Sequence, residues 1–240
     1  MRKLYYSVLL TILAGSMRSQ QSIVKESVLI KFTQDYKVGY KNERGVVIVP
    51  NKYTAGSDFE NGFAIILAGD KRGYLDKYGN EAIPPQYQDA SPFYYGLACV
   101  KKDGLYGYIN PQNEWVIKNT FQNAFSFYEG VARVMVNNKW GLINLKGEFI
   151  LQSEYVDIKD CAYGLILARK DKLYGYLKSN GSWAIPPQYE QAMSFVFDGT
   201  AEVVSHGKTY LINQKNEILR EINHAEEHEE EEKKYKEGLK

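Results

Sequence analysis

Residues 105–117 read Leu105-Tyr106-Gly107-Tyr108-Ile109-Asn110, then Pro111-Gln112-Asn113-Glu114, then Trp115-Val116-Ile117. An aromatic and β-branched run, a turn and a second such run predict a β-hairpin. Just upstream, Leu97-Ala98-Cys99-Val100-Lys101-Lys102 forms a third run, joined to the first through Asp103-Gly104. Asp-Gly between two strand patterns is a strong short-range hairpin signal. Three runs linked by tight turns make an antiparallel meander.

The meander recurs along the chain. Gly39, Gly73, Gly107, Gly141 and Gly175 stand 34 residues apart, and so do Tyr53, Tyr87, Phe121, Tyr155 and Tyr189. Val49, Ile83, Ile117, Leu151 and Ile185 keep the same spacing, as do Phe59, Phe93, Phe127, Cys161 and Phe195. A further column runs Gly62, Gly96, Gly130, Gly164 and then Gly199, one residue late, which places an insertion between Phe195 and Gly199. A period of about 34 residues is also that of a tetratricopeptide hairpin, but helices would not survive this turn punctuation. The turn column Gly45, Gly79, Asn113, Gly147, Gly181, Asn216 admits only Gly or Asn, the mark of a backbone position with φ > 0. With the unit framed as third run, first run, second run, six copies fit from Val28 to Leu219. Pro84-Pro85-Gln86-Tyr87 and Pro186-Pro187-Gln188-Tyr189 are read as loops between units, where paired prolines stop strand pairing and Tyr plugs the seam. One meander is too thin to bury its own apolar face, so stacking of about three or more units supplies the stability.

These residues resemble the WG-repeat family, also called KWG repeats, whose consensus runs Lys-Trp-Gly-Tyr-Ile-Asp, a turn Gly, an apolar pair, Pro, Tyr, then Phe, Gly-Leu-Ala and a strand. Lys139-Trp140-Gly141 carries the name motif; elsewhere it is Tyr106-Gly107 or Tyr174-Gly175, degrading to Arg72-Gly73, Val38-Gly39 and Thr209-Tyr210. The resemblance covers residues 28–219. It implies a β-rich binding array in bacterial, often exported, proteins, and it brings no catalytic residues.

Composition narrows the function classes. The chain has 240 residues, 44% hydrophobic and 25% charged, values of a soluble globular protein rather than of disorder, collagen or a multi-span membrane protein. Thirty Lys and Arg against 29 Asp and Glu leave +1, so no basic field exists to hold a nucleic acid. Residues 1–19 have a basic start, an apolar stretch from Leu4 to Ala14 and small residues afterwards, the pattern of a signal peptide cleaved after Ser16 or Ser19. The protein is therefore expected outside the cytoplasm, periplasmic, at the cell surface or secreted, with no membrane span after cleavage. Residues 220–240 form a Glu/Lys-rich tail expected to lie outside the fold.

No catalytic group, metal site or cofactor is assigned. His224-Ala225-Glu226-Glu227-His228 matches the inverted zincin motif but sits in the polyglutamate tail. Cys99 and Cys161 occupy different columns of non-adjacent units and read as buried thiols. Of the 20 tyrosines, Tyr40, Tyr74, Tyr108 and Tyr176, with the Tyr53 column, Tyr106 and Tyr174, are scaffold.

Positions that vary between units are the candidate binding residues, because the stack does not demand them. The pair before the second glycine reads Glu60-Asn61, Tyr94-Tyr95, Tyr128-Glu129, Ala162-Tyr163; another column reads Val47, Glu81, Trp115, Phe149, Trp183. Tyr94, Tyr95, Trp115, Tyr128, Tyr163 and Trp183 are the ligand-binding candidates. The expectation is an all-β array of six three-stranded units forming an open superhelical solenoid, or alternatively a closed six-bladed propeller-like ring. It is expected to bind a protein or cell-envelope component without catalysis, the alternative being carbohydrate or peptidoglycan held on exposed aromatics.

Overall fold

The computed structural model describes residues 28–223. The first sheet is three-stranded, β1 (Ile30–Gln34), β2 (Lys37–Lys41) and β3 (Val47–Tyr53). The second is four-stranded, β4 (Ala55–Gly56), β5 (Phe63–Ala68), β6 (Lys71–Asp76) and β7 (Glu81–Tyr87). The third repeats this with β8 (Asp89–Ala90), β9 (Ala98–Lys102), β10 (Leu105–Ile109) and β11 (Trp115–Phe121). The fourth has β12 (Asn123–Ala124), β13 (Val131–Val136), β14 (Lys139–Asn144) and β15 (Phe149–Tyr155). The fifth has β16 (Asp157–Ala162), β17 (Leu165–Lys170), β18 (Leu173–Lys178) and β19 (Trp183–Tyr189). The sixth has β20 (Gln191–Ala192), β21 (Thr200–Ser205), β22 (Lys208–Asn213) and β23 (Ile218–Ile222).

The all-β array of six 34-residue units is as the spacing predicts, with two differences. Five of the sheets gain a fourth strand, two residues long in four of them. Such a strand is too short to carry a period-2 pattern, and its pairing is decided by where the chain must turn back onto the next meander. The last strand also reaches Ile222, beyond the boundary at Leu219, so the charged tail begins later than expected.

The turns follow local chemistry. Asn113 has φ 64° and Gly147 81°, the left-handed region that the Gly/Asn column requires. Asn110 closes its turn with a side-chain carbonyl that accepts from the backbone N–H of Gln112 (3.1 Å) and Glu114 (2.9 Å). Asn42, Asp76, Asn144 and Asn213 do the same, so the residue ending the first long run is a recurrent Asx turn.

The Gly39 column answers to a different need, close approach. Tyr106 pairs with Phe121 and Tyr108 with Ile117, so three residues of β11 face Gly107 alone, a bulge. A Cβ on Gly107 would stand 2.6 Å from the Asn119 backbone nitrogen and 2.7 Å from the Ile117 carbonyl oxygen. The Pro-Pro-Gln stretches lie in this bulge, inside β7 and β19, rather than in a loop between units; the bulge leaves their missing N–H groups without a ladder role. The sixth sheet supplies the counter-example. Its column residue is Tyr210, and there Thr209, Tyr210 and Leu211 pair in register with Ile222, Glu221 and Arg220. Where the glycine is gone, so is the bulge over it.

The core lies between sheets. Five buried clusters each join one sheet to the next, first to second through fifth to sixth. Among the described residues no sixth cluster joins last to first, and Val47 and Ile218 at the two ends are more than half exposed. The sheets are propeller-blade meanders in form, strung as an array with two ends.

A tyrosine latches four of the five seams. Tyr40, Tyr74, Tyr108 and Tyr176 are fully buried, and each phenol donates to a backbone carbonyl 17 residues on: Ser57 (2.8 Å), Ser91 (2.7 Å), Phe125 (2.7 Å) and Met193 (2.7 Å). Each ring packs on the Phe of the following unit, Tyr108 on Phe127 with centroids 4.8 Å apart. The one seam without this tyrosine, at Leu142, also lacks the Phe, which is Cys161.

Burial holds these four phenols well above the ordinary range. A raised folded value means that the associated stability is complete below the unfolded phenol value of about 10 and is lost as pH rises from there toward the folded value. Alkaline titration is therefore expected to show these four ionising together with unfolding. Reversible ionisation of all 20 tyrosines near the ordinary value, with the far-ultraviolet signal intact, would rule the latch out.

Candidate functional site

Between the short strand and the next long one, the second, third and fourth units each make a small hairpin. Tyr94 and Leu97 exchange backbone hydrogen bonds at 2.9 Å, and Tyr128 and Val131 do so at 2.9 and 3.1 Å. Two successive left-handed residues turn the chain, Tyr95 (φ 53°) with Gly96 (75°) and Glu129 (49°) with Gly130 (80°), the geometry of a type I′ turn. Phe93 and Phe127, 3% and 2% exposed, anchor the hairpins in the seams. Neighbouring hairpins are also tied to each other. Asn61 Nδ2 donates to the Phe93 carbonyl at 2.8 Å, the Tyr94 phenol donates to the Glu60 carboxylate, and the Cys161 thiol donates to Glu129 Oε2 at 2.9 Å.

These hairpins surround a cavity of about 830 Å³. The second sheet supplies Asn61 and Phe63, the third Phe93 to Gly96 and Pro111, the fourth Phe125 to Tyr128, and the fifth Cys161. Seven of the twelve lining residues are aromatic, and none is a lysine, arginine or histidine. The bond to Glu60 is the main cause that raises the Tyr94 phenol above its ordinary range. Volume and lining are those of a small-ligand or side-chain pocket.

Three of the six sequence candidates, Tyr94, Tyr95 and Tyr128, line this cavity together. Tyr163 takes the left-handed position of Tyr95 two units on, φ 53° and 56% exposed, outside the lining. Trp115 and Trp183 lie elsewhere, half-buried in seams, edge-on to Tyr87 (6.1 Å between centroids) and tilted over Tyr155 (6.0 Å). Their column varies for a structural reason. Glu81 accepts from the Tyr53 phenol at 2.5 Å and Phe149 packs on Phe121, so every member after Val47 meets the aromatic of the preceding unit. Phe125, 40% exposed, and Ser126 were missed as candidates. Their signal was present: Phe125 stands where other units have Ser57, Ser91, Lys159 and Met193.

A left-handed tyrosine is costly, since Asn or Gly takes this conformation far more easily. Tyr95 is 58% exposed, so the fold recovers little from the ring. Tyr95→Asn is expected to raise stability by about 1 kcal/mol, read from urea unfolding midpoints. A lower midpoint would mean that the ring is part of the packing.

Among the described residues no group of three or more His, Cys, Asp or Glu is placed to hold a metal. Cys99 and Cys161 are free and buried, and burial pushes the Cys99 thiol up to about 12. The His224–His228 motif and the signal-type segment lie outside the described residues.

No curated protein sequence matches this chain. Among solved structures, a eukaryotic initiation factor is 7% identical over 81% of this chain and 62% of its own length, with a TM-score of 0.52. Hsv2 from Kluyveromyces lactis is 8% identical over 82% of this chain and 72% of its own, with a TM-score of 0.46. Identities this low speak to fold alone. The family model described as WG containing repeat matches residues 39–71, 73–106, 106–140, 140–174 and 174–208, all five starting on or just before a glycine that sits beneath a bulge. Five consecutive matches on the columns that build the sheets, seams and turns place this chain in the WG-containing repeat family.

Proposed function

We propose that this repeat-based binding module is exported and non-catalytic, and that it holds a protein or cell-envelope component in the aromatic cavity. The observation that carries this reading is the convergence of Tyr94, Tyr95, Phe125 and Tyr128 from two consecutive units on one cavity, with Tyr95 kept in a backbone conformation that the fold alone disfavours. Family membership brings no catalytic residues. The lining offers apolar rings with few free polar groups, which suits the side chains of a partner protein better than a sugar. Trp115 and Trp183, the natural sugar platforms, are engaged in seams. Export rests on the signal-type pattern of residues 1–19.

The test is affinity capture from envelope extract with three baits: the wild-type chain, a Tyr94→Ala/Tyr95→Ala/Tyr128→Ala variant, and a Trp115→Ala/Trp183→Ala variant. A protein held by the wild type and lost with the tyrosine variant, at an unchanged unfolding midpoint, is the expected result. The tryptophan variant is expected to lose stability first. Retention of the wild type on insoluble polysaccharide, with no protein captured, would replace this reading with the carbohydrate one.

A further inference from the structure

We propose that the group this cavity accepts is an organic cation carried by the partner, an alkylammonium or guanidinium side chain of a basic peptide segment; this rests on the cavity being the binding site. The first observation is the pairing of ring faces with carboxylates. Tyr94, Tyr95 and Tyr128 line the cavity, and the face of a tyrosine ring attracts a cation within about 6 Å of its centre. Glu60 and Glu129 are each fastened to a lining side chain, the Tyr94 phenol and the Cys161 thiol. Both are exposed, so they stand at the rim rather than in the floor.

The second observation is the charge of the surrounding hairpins. No lysine or arginine lines the cavity. Lys159, on the neighbouring fifth-unit strand, is already paired with Asp157 at 2.9 Å. Asp58, in the second-unit loop, pairs outward with Lys31 at 3.4 Å, and Asp198, in the sixth, caps its own turn through Thr200. Glu60 and Glu129 are left as the carboxylates at the rim, bonded to the Tyr94 phenol and the Cys161 thiol rather than to a cation.

The third observation is a cation already seated on this wall. The Arg133 guanidinium lies 3.9 Å from the centre of the Phe125 ring and 5.9 Å from Trp140, while its Nη1 donates to the Ile158 carbonyl at 2.7 Å. The protein itself thus supplies Phe125 with a cation, and the lining tyrosines Tyr94, Tyr95 and Tyr128 remain for a ligand. A cavity of about 830 Å³ exceeds one ammonium group, which leaves space for the side chain's methylenes and an apolar neighbour.

The experiment measures binding of the full chain to a set of labelled heptapeptides identical except at the centre: lysine, trimethyl-lysine, arginine, norleucine or glutamate. The cationic peptides are expected to bind roughly tenfold more tightly than the norleucine peptide, with the glutamate peptide weakest. Glu60→Gln with Glu129→Gln, isosteric changes at exposed positions, is expected to weaken the cationic peptides about fivefold and leave norleucine unchanged. Equal binding of norleucine and lysine, abolished by Tyr94→Ala and Tyr128→Ala, would overturn the cation while keeping the cavity as the site. If capture of the envelope partner survives the tyrosine variant, the site itself is wrong and the cation falls with it.

Discussion

Gly107→Ala is expected to destabilise the protein by about 3 kcal/mol, the upper part of the range for forcing atoms into a packed site. The new methyl would meet backbone atoms of the bulged strand, Asn119 nitrogen and Cα and the Ile117 oxygen, at 2.6 to 2.7 Å, and backbone cannot swing aside as a flexible side chain can. Gly104→Ala is the control. Gly104 has φ 82° and open space around it, so alanine there costs only the left-handed strain of about 1 kcal/mol. Urea unfolding of both variants decides the matter. Equal losses would show that conformation, not close approach, accounts for the glycine column. Tyr210 points to the compensation evolution can use, since its facing strand runs without a bulge at that position.

Tyr108→Ala is expected to cost about 4 kcal/mol, because the ring is fully buried against Phe121 and Phe127 in the seam between the third and fourth sheets. Tyr108→Phe is expected to cost about 1.5 kcal/mol, the latch being lost and the Phe125 carbonyl left without its phenol donor. Since the array is quasi-one-dimensional, weakening one central seam should also lower cooperativity between the two halves. Thermal unfolding of Tyr108→Ala is expected to broaden or split, while Tyr108→Phe stays a single transition. The pair Leu142 and Cys161 shows how the seam can be rebuilt smaller. Tyr108→Leu with Phe127→Cys is accordingly expected to cost less than the sum of the two single changes, by about 1 kcal/mol. Strict additivity would mean that the two columns are independent.

Much of the candidate site could be read in the sequence, and the part that could not has a clear cause. Tyr94, Tyr95 and Tyr128 stood out because they vary where the stack imposes no residue, and the cavity unites them. Trp115 and Trp183 vary just as much, yet their partners are Tyr87 and Tyr155 of the preceding units, 28 residues back. Variation along one column says that the stack tolerates several side chains there; whether each is exposed or fits a partner that also varies depends on a residue in another unit. Phe125 was overlooked for the same reason, since its column holds small or flexible residues elsewhere.

What this sequence determined by itself was the period, the strand-and-turn order and the backbone sign at the Gly/Asn turn column. These are short-range matters: a left-handed φ at Asn113 or Gly147 is set by the residue itself, and an Asx turn at Asn110 closes within four residues. Only the tertiary structure decided the fourth strand, the bulge over Gly107, the phenol latch to a carbonyl 17 residues away and the cavity shared by four units. Those depend on which atoms meet across a seam, and the energy of a seam belongs to two units at once.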